Sequence, residues 1–224
     1  MYLTSEKVLF SWSGGKESAL SLYKILESGK YEVLALLVTV TEDYGRVSMH
    51  GVRFPLIKKQ AEAMGLNLEK VAISKDSSNE EYEAKMRDLL TKYRRMGVSS
   101  VVFGDVYLED VRKRRENNLS KVGIKGIFPL WKEDTKKLAQ EFIKLGFKAI
   151  VTCVDSRILN KSFVGKQFNE HFLAKLPSNV DPCGENGEFH SFVFDGPIFK
   201  KKVEYRVGET VLRDSFYFCD LLPV

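Results

Sequence analysis

Cysteine is scarce in this chain of 224 residues, which has Cys153, Cys183 and Cys219 and no CxxC pair. Three scattered cysteines exclude the disulfide framework of a small secreted domain. Long apolar runs are also missing. The longest, Val33–Val40, falls far short of the roughly 20 residues that span a bilayer. The start of the chain, Met1–Lys7, is polar and carries no signal-peptide pattern, so we expect a cytoplasmic protein with no membrane association.

The overall composition is that of an ordinary globular protein, with 44% hydrophobic and 29% charged residues. The chain is long enough to bury a sizeable core as one domain, or as one domain with a small second unit. Its net charge is +5 at pH 7 and its pI is near 8.9. This mild positive excess suits anionic ligands such as nucleotides, and it permits a nucleic-acid partner without requiring one.

Short apolar segments alternate with segments of helical periodicity through the first 130 residues. Strands are predicted at Lys7–Trp12, Tyr31–Val40, Glu69–Ile73, Ser99–Phe103 and Gly126–Leu130. Helices are predicted at Lys16–Ser28, 53–64, Glu80–Met96 and Val106–Lys121. Such alternation predicts an α/β fold with a Rossmann-like, doubly wound parallel sheet. Ligands of these sheets bind beyond the carboxyl ends of the strands, so functional residues are expected directly after strands.

The pattern changes after residue 130. A helix at Thr135–Leu145 and a strand at Ala149–Val154 continue the alternation. Three further segments, Phe192–Phe199, Lys202–Arg206 and Thr210–Phe218, predict antiparallel strands. We therefore expect two domains, residues 1–130 and a smaller α+β unit at residues 131–224.

A glycine-containing loop, Ser13–Ser18, joins the first predicted strand to the first predicted helix. Gly14 and Gly15 let the backbone approach a ligand closely, and the unpaired N–H groups at the helix start attract anions. Lys16 adds a positive charge, and the two serines supply hydroxyl groups. A simple glycine turn that caps a helix is the alternative interpretation. The position directly after a strand favours phosphate binding.

A second concentration of polar residues spans 181–190, with the sequence DPCGENGEFH. Glu185 and Glu188 are three residues apart on a glycine-bent loop, and His190 follows. Two carboxylates and an imidazole in this arrangement could bind Mg²⁺, hold an ammonium group or transfer protons. A solvated turn before a strand is the alternative, and composition alone does not separate the two.

Three lesser candidates complete the set. Asp105 follows the fourth strand, where it is expected to bind nucleotide or metal or else to cap a helix. His50 lies near the same edge and is as consistent with a structural role as with a ligand contact. The basic run Arg112–Arg115 is expected to be a solvated helix face.

The loop sequence SGGKES resembles the PP-loop, SGGxDS, of the adenine-nucleotide α-hydrolase-like superfamily, with Glu17 where the pattern has Asp. A Walker A loop is excluded, because Phe10 stands where that motif needs glycine and Glu17 where it needs Ser or Thr. The segment GENGEFHSFVFDGPIF resembles the E-(G/N)-G-E-(F/Y)-H/E-(T/S) signature of the diphthine–ammonia ligase family, or N-type ATP pyrophosphatases. Further matches at residues 51–53, 104–105 and 146–151 extend the resemblance over nearly the whole chain. The segment DPCGENGEFH is similar to the sequence of the bacterial-type branch of this family.

The resemblance implies an ATP-dependent amidoligase with a PP-loop ATP-binding domain at residues 1–130 and a substrate-binding domain at residues 131–224. In such enzymes ATP adenylates a carboxylate with release of pyrophosphate, and ammonia then displaces AMP to form the amide. The implied acceptor is diphthine on elongation factor 2 or, in a bacterial-type member, another small-molecule carboxylate.

Roles carry over by position in the two motifs. The implied ATP-binding residues are Ser13, Gly14, Gly15, Lys16, Glu17, Ser18 and Asp105. The implied Mg²⁺ ligands are Glu17 and Asp105. The implied catalytic residues, which would bind the acceptor or ammonia and move the proton, are Lys16, Glu185, Glu188 and His190. Two other function classes stay open, a nucleotide sensor without chemistry and a tRNA-modifying PP-loop enzyme. A homodimer is compatible with the sequence.

Overall fold

The computed structural model describes residues 5–47 and 51–224, so His50 lies outside the described residues. The strands are β1 Glu6–Ser11, β2 Tyr31–Thr41, β3 Arg46–Val47, β4 Leu68–Ile73, β5 Ser100–Val102, β6 Lys125–Ile127, β7 Lys148–Asp155, β8 Gln167–Phe168, β9 Phe189–Asp195, β10 Tyr205–Arg213 and β11 Phe216–Pro223. The α-helices are α1 Lys16–Glu27, α2 Phe54–Met64, α3 Asn79–Arg95, α4 Glu109–Ser120, α5 Thr135–Lys144 and α6 Glu170–Lys175. No helix within the described ranges is long and apolar enough to cross a bilayer.

The first sheet is parallel in the order β4-β2-β1-β5-β6, with the short β3 antiparallel to the end of β2. This arrangement confirms the predicted α/β class and the doubly wound parallel sheet. The strand order reverses at β1, which pairs with β2 on one side and with β5 on the other. The segments after β1 and β5 therefore meet at the switch point, where such sheets bind ligands.

The second sheet is antiparallel in the order β10-β11-β7-β8, and β9 pairs with β7 from Lys148 to Val154. The expectation that the strand at Ala149–Val154 continues the parallel alternation is wrong, since it forms most of β7. From Ala149 to Asp155 every residue of β7 is buried. A continuous buried run is typical of a central strand in either kind of sheet, so the local pattern could not specify its partners.

The predicted division between Lys202–Arg206 and Thr210–Phe218 is also wrong. Strand β10 continues through Gly208 with only a register shift, and the hairpin turn lies at Asp214 and Ser215. These two residues have φ values of 46° and 70°, as a two-residue type I′ turn requires. Gly208 lies at a β-bulge, and the turn is formed by Asp214 and Ser215 further along the chain. Strand β8 and helix α6 were not predicted.

The two sheets share one hydrophobic core. A single cluster of buried apolar side chains extends from Phe10 of β1 to Phe192 of β9. A second, smaller cluster lies beneath α3 and includes Leu9, Tyr93 and Val101. The boundary at residue 130 stays a prediction, because the main core runs across it.

The buried amide of Gln60 in α2 joins the glycine loop to β9. Its Nε2 donates to the carbonyl oxygens of Gly14 (3.1 Å) and Val193 (2.6 Å), and its Oε1 accepts from Trp12 Nε1 (2.8 Å). Val193 N also donates to Gly14 O at 2.9 Å. Gly14 has φ +81°, and a Cβ there would lie 2.6 Å from Ile57 Cδ1. Only glycine therefore fits at this junction.

Replacing Gln60 by leucine should lower the free energy of unfolding by about 2–5 kcal/mol, because it leaves the Trp12 indole N–H and the Val193 carbonyl buried without their amide partner. Denaturant unfolding measures this loss. The matched control is Gln140→Leu on the exposed face of α5, which should change stability by less than about 0.5 kcal/mol. Equal unfolding midpoints for both variants would contradict the structural role of Gln60.

Candidate active site

A cavity of about 590 Å³ lies at the carboxyl ends of the parallel strands. Its floor is formed by strand-end residues, namely Ser11, Trp12, Ser13, Thr39, Ile73 and Phe103. Helices α3 and α4 cover it with Tyr82, Glu83, Met86, Arg114, Arg115 and Asn118. The volume is typical of sites that hold a nucleotide-sized ligand. The cavity thus lies where the sequence predicted ligand binding.

The glycine loop is held in place by its own hydroxyl groups. Ser13 Oγ and Ser18 Oγ are 2.8 Å apart, and Gly15 N donates to Ser13 Oγ at 3.2 Å. Helix α1 begins with Gly15 as N-cap, which has no side chain to bind the first N–H groups. Ser13 lines the cavity, so the loop presents a hydroxyl group to this space, while the first N–H of the helix, at Lys16, donates to Ser191 Oγ at 3.2 Å.

Lys16 faces away from this cavity, which it does not line. Its side chain is only 4% exposed, and its Nζ lies 2.8 Å from Glu17 Oε1 and 4.5 Å from the Phe189 ring centroid. Burial, the largest single influence, lowers the pKa of Lys16, but the charge and hydrogen bond of Glu17 together with the charges of Cys183 and Glu185 outweigh it, so the net pKa is raised and the lysine stays cationic. The predicted ATP-binding set is therefore divided, with Ser13 at the cavity and the Lys16 side chain against the second sheet.

Two carboxylates fold the loop at residues 181–190. Asp181 Oδ1 accepts from the backbone N–H groups of Cys183 (2.8 Å) and Glu185 (3.2 Å). Glu188 is buried, and it accepts from Asp181 N (3.0 Å) and Asn186 N (2.9 Å). Glu188 was expected to be catalytic, and that role stays a prediction; its observed contacts brace the loop.

Glu185 is the third carboxyl group of this loop, and the described residues supply no hydrogen-bond donor to it. Burial, followed by the charge of Glu17, raises its pKa to about 8. Asp181 and Asp105 raise it further, and Lys16 opposes them. Glu185 is thus a half-buried acid with free lone pairs in a negative environment, which favours proton exchange or binding of a cation.

His190 lies on β9 opposite Cys153 of β7. Burial, together with the charge of Lys16, lowers the pKa of His190 to about 4. The imidazole is therefore neutral at pH 7, and a neutral imidazole can accept a proton. The charge of Lys16 thus lowers the pKa of both Glu185 and His190, and the predicted catalytic roles of the three residues stay predictions.

Asp105 is paired with Arg115, which was expected to lie on a solvated helix face. Arg115 Nε lies 2.8 Å from Asp105 Oδ2, and Arg115 Nη2 donates to Asp105 Oδ1 at 3.1 Å. The Arg115 guanidinium also lies over the Phe103 ring, 4.4 Å from its centroid. Arg112 lies over Trp131 at 4.5 Å. The expectation of a solvated face is wrong for these two arginines. Their spacing of three residues, which places them on one helix face, was the available signal.

Glu17 and Asp105 were the predicted Mg²⁺ ligands. Within residues 5–47 and 51–224, no group of three or more His, Cys, Asp or Glu side chains could hold a metal ion alone. At nucleotide sites Mg²⁺ needs only one or two carboxylates, with phosphate oxygens and waters completing the shell. Glu17 lies at the start of the helix that follows the loop, but its Oε1 is paired with Lys16 and its side chain does not line the cavity, so its role as a Mg²⁺ ligand stays a prediction. Asp105 is bound on both oxygens by Arg115.

Comparison with known sequences covers nearly the whole chain. Residues 6–126 match the diphthamide synthase N-terminal domain, and residues 134–221 match the diphthamide synthase C-terminal domain. The chain belongs to the diphthamide synthase family. This result confirms the resemblance carried by the two loop motifs.

Curated relatives carry the name diphthine–ammonia ligase. The Schizosaccharomyces pombe protein is 29% identical over 96% of this chain, which spans only 38% of that protein's length. The Danio rerio protein is 28% identical, with 92% of this chain and 89% of the relative covered. The Homo sapiens protein is 25% identical, with 92% and 85% covered.

Two solved structures are also similar. The predicted subunit of tRNA methyltransferase from Methanocaldococcus jannaschii is 16% identical, covers 88% of this chain and 100% of its own, and has a TM-score of 0.44. The U34-tRNA thiolase NcsA from Methanococcus maripaludis is 16% identical, covers 64% and 59%, and has a TM-score of 0.38. Both scores are low, and nothing about function follows from them.

Replacing Glu185 by glutamine should remove a pH dependence of stability. The pKa of Glu185 rises from 4.5 to about 8 on folding, so the native state binds the extra proton between these pH values. Stability contributed by this group therefore falls as pH rises through that window. The variant's free energy of unfolding, relative to wild type, should increase from pH 5 to pH 9 by a few kcal/mol, on the order that such a shift implies. Exposed Glu209→Gln is the control, and a constant difference for Glu185→Gln would contradict the raised pKa.

Proposed function

We propose that this chain is an ATP-dependent amidoligase, which adenylates a carboxylate with release of pyrophosphate and then joins the carboxylate to ammonia with release of AMP. Its curated relatives belong to the ligase class by name. One observation carries the proposal. The carboxyl group of Glu185 has no hydrogen-bond donor among the described residues and lies near enough to Glu17 for that charge to raise its pKa, while Ser13 of the same glycine loop lines a cavity of about 590 Å³.

ATP would occupy the cavity at the strand ends. Apolar side chains on its walls, including Met86 and Phe103, suit an adenine ring. Ser13 and the first N–H groups of α1 would bind phosphate oxygens, because a helix start favours negative charge. Lys16 would act through its charge from the other side of the loop, where it holds Glu17 in place at 2.8 Å.

Mg²⁺ would be held by Glu17 together with the phosphates, and it would stabilise the charge on the departing pyrophosphate. Glu17 is one methylene longer than the aspartate of the related motif, and its ion pair with Lys16 directs the carboxylate. Asp105 would contribute by fixing Arg115 at the cavity wall, where the guanidinium can face anionic groups.

Ammonia would be held by Glu185. Ammonium must lose a proton before it attacks an acyl-adenylate, and an acid with a pKa of about 8 is well matched to accept that proton near neutral pH. His190 is neutral at this pH, and its pKa of about 4 makes it a weaker base than Glu185, so the proton would pass from Glu185 to solvent. Glu188 would contribute indirectly, because it braces the loop that carries Glu185.

The acceptor would be diphthine on elongation factor 2. The names of the relatives give diphthine as the group that is joined to ammonia. Another small-molecule carboxylate is the alternative for a bacterial-type member. In this proposal residues 1–130 bind ATP, residues 131–224 bind the acceptor, and the enzyme works in the cytoplasm. A sensor that binds ATP without chemistry would have no use for a buried acid at Glu185.

The product of ATP cleavage tests the reaction. Purified protein is incubated with ATP, Mg²⁺, ammonium and elongation factor 2 that carries diphthine, and AMP is resolved from ADP. We expect AMP and pyrophosphate in amounts equal to the amide formed. Formation of ADP would contradict the ligase proposal and favour the sensor. The same holds for ATP binding without turnover, whether the acceptor supplied is diphthine on elongation factor 2 or another small-molecule carboxylate.

The role of Glu185 is tested by Glu185→Gln in the same assay. Loss of the proton acceptor should lower kcat/KM for ammonium by about 10²–10⁴-fold, the usual contribution of a positioned acid or base. The dissociation constant for ATP should stay within about twofold, since Glu185 does not line the cavity. Glu209→Gln, in the exposed face of β10, is the matched control and should match wild type in both measurements. Unchanged ammonium kinetics in Glu185→Gln would remove Glu185 from the mechanism.

A further inference from the structure

The carboxylate of Asp181 lies at the centre of four hydrogen bonds. Its Oδ1 accepts from the backbone of its own loop, at Cys183 N (2.8 Å) and Glu185 N (3.2 Å). Its Oδ2 accepts from two hydroxyl groups elsewhere in the chain, Thr135 Oγ1 (2.6 Å) and Tyr107 Oη (3.0 Å). We call Asp181, Tyr107 and Thr135 the Asp181 anchor.

The two hydroxyl donors come from segments on either side of the loop. Tyr107 is two residues beyond Asp105, in the segment that follows β5, and Thr135 is the first residue of α5. Thr135 also accepts, through its carbonyl oxygen, a contact from Cys183 Sγ at 3.2 Å. One oxygen of Asp181 therefore binds the loop, and the other binds the surrounding fold.

The charges at the anchor favour a permanent arrangement. Burial, and then the Asp181 charge, raise the pKa of Tyr107, so its hydroxyl keeps its proton and remains a donor. Hydrogen bonds to a charged acceptor are stronger than those between neutral groups. The Asp181 anchor is thus a strong connection between the loop and the remainder of the protein.

We propose that Tyr107 and Thr135 are positioning residues, which through Asp181 hold Glu185 in the place where it handles ammonia. This inference rests on the proposed function of Glu185. The carboxyl group of Glu185 has no hydrogen-bond donor among the described residues, so its position must come from its backbone. Its backbone N–H is bound to Asp181, and Asp181 is bound to Tyr107 and Thr135.

The anchor should affect the ammonia step and leave ATP binding unchanged. None of its three residues lines the nucleotide cavity. Loss of a hydroxyl donor lets the loop shift, and a misplacement of about 1 Å can reduce a rate by 10²-fold. A residue that merely supported the fold would alter stability and ATP binding together.

The experiment compares Tyr107→Phe and Thr135→Val with a matched control, Tyr93→Phe. Tyr93 likewise donates its hydroxyl to a carboxylate, Glu69 Oε1 at 2.6 Å, but on α3 and away from the loop. In the anchor variants kcat/KM for ammonium should fall about tenfold or more, while the dissociation constant for ATP stays within about twofold. Tyr93→Phe should leave both values unchanged.

Amide hydrogen exchange supplies a readout that needs no turnover. The amides of residues 181–188 should lose protection in Tyr107→Phe and Thr135→Val and keep it in Tyr93→Phe. Unchanged protection would overturn the inference, as would lost protection with normal ammonium kinetics. If the wild-type protein forms no AMP, the proposed function fails by itself, and exchange in the variants still decides whether the anchor holds the loop.

Discussion

The hydrogen bonds that Gly14 O accepts from Val193 N and Gln60 Nε2 are the contact on which the site depends. Gly14 lies in the loop after β1, and Val193 lies in β9 of the second sheet. Because β9 begins at the end of the loop at residues 181–190, this contact, together with the hydrogen bond from Lys16 N to Ser191 Oγ (3.2 Å), holds the glycine loop against the loop that carries Glu185. It also places Lys16 against Phe189, where the buried cation faces aromatic rings and Glu17.

The acidic residues around this contact have separate tasks. Glu17 is paired with Lys16 and Asp105 with Arg115, so their charges are largely compensated. Asp181 and Glu188 accept hydrogen bonds from backbone N–H groups of the loop, and Asp181 also accepts from two hydroxyl groups outside it. Glu185 has neither an ion pair nor a hydrogen-bond donor among the described residues, and burial, followed by the charge of Glu17, raises its pKa to about 8. A cluster that looks redundant in the sequence thus contains one group suited to chemistry.

The sequence predicted the parallel sheet and a cavity at its strand ends well, because both depend on local signals, whereas the roles of the site residues stay predictions. Apolar runs, helical periodicity and glycines directly after a strand are visible within a few residues of each other. The failures concern partners that are distant in the chain. The buried run of β7 fits either sheet, Gly208 looks like a turn until its pairing is known, and the hydrogen bond of Tyr107 joins residues 74 positions apart. The bracing role of Glu188 could not be predicted either, because composition does not show which carboxylate accepts hydrogen bonds from the backbone of its own loop.

The packing around Gly14 has a consequence for how sequences with this fold evolve. A side chain at this position would collide with Ile57 Cδ1 at 2.6 Å, and φ is +81°. The requirement for glycine therefore comes from the packing of helix α2 against the loop and from the backbone conformation, independently of whether any phosphate is bound. A descendant of this chain that had lost its chemistry would still be selected to keep the glycine as long as it folded. Glycine at this position therefore indicates only that the loop is packed in this way, and evidence of catalytic activity has to be sought at Glu185.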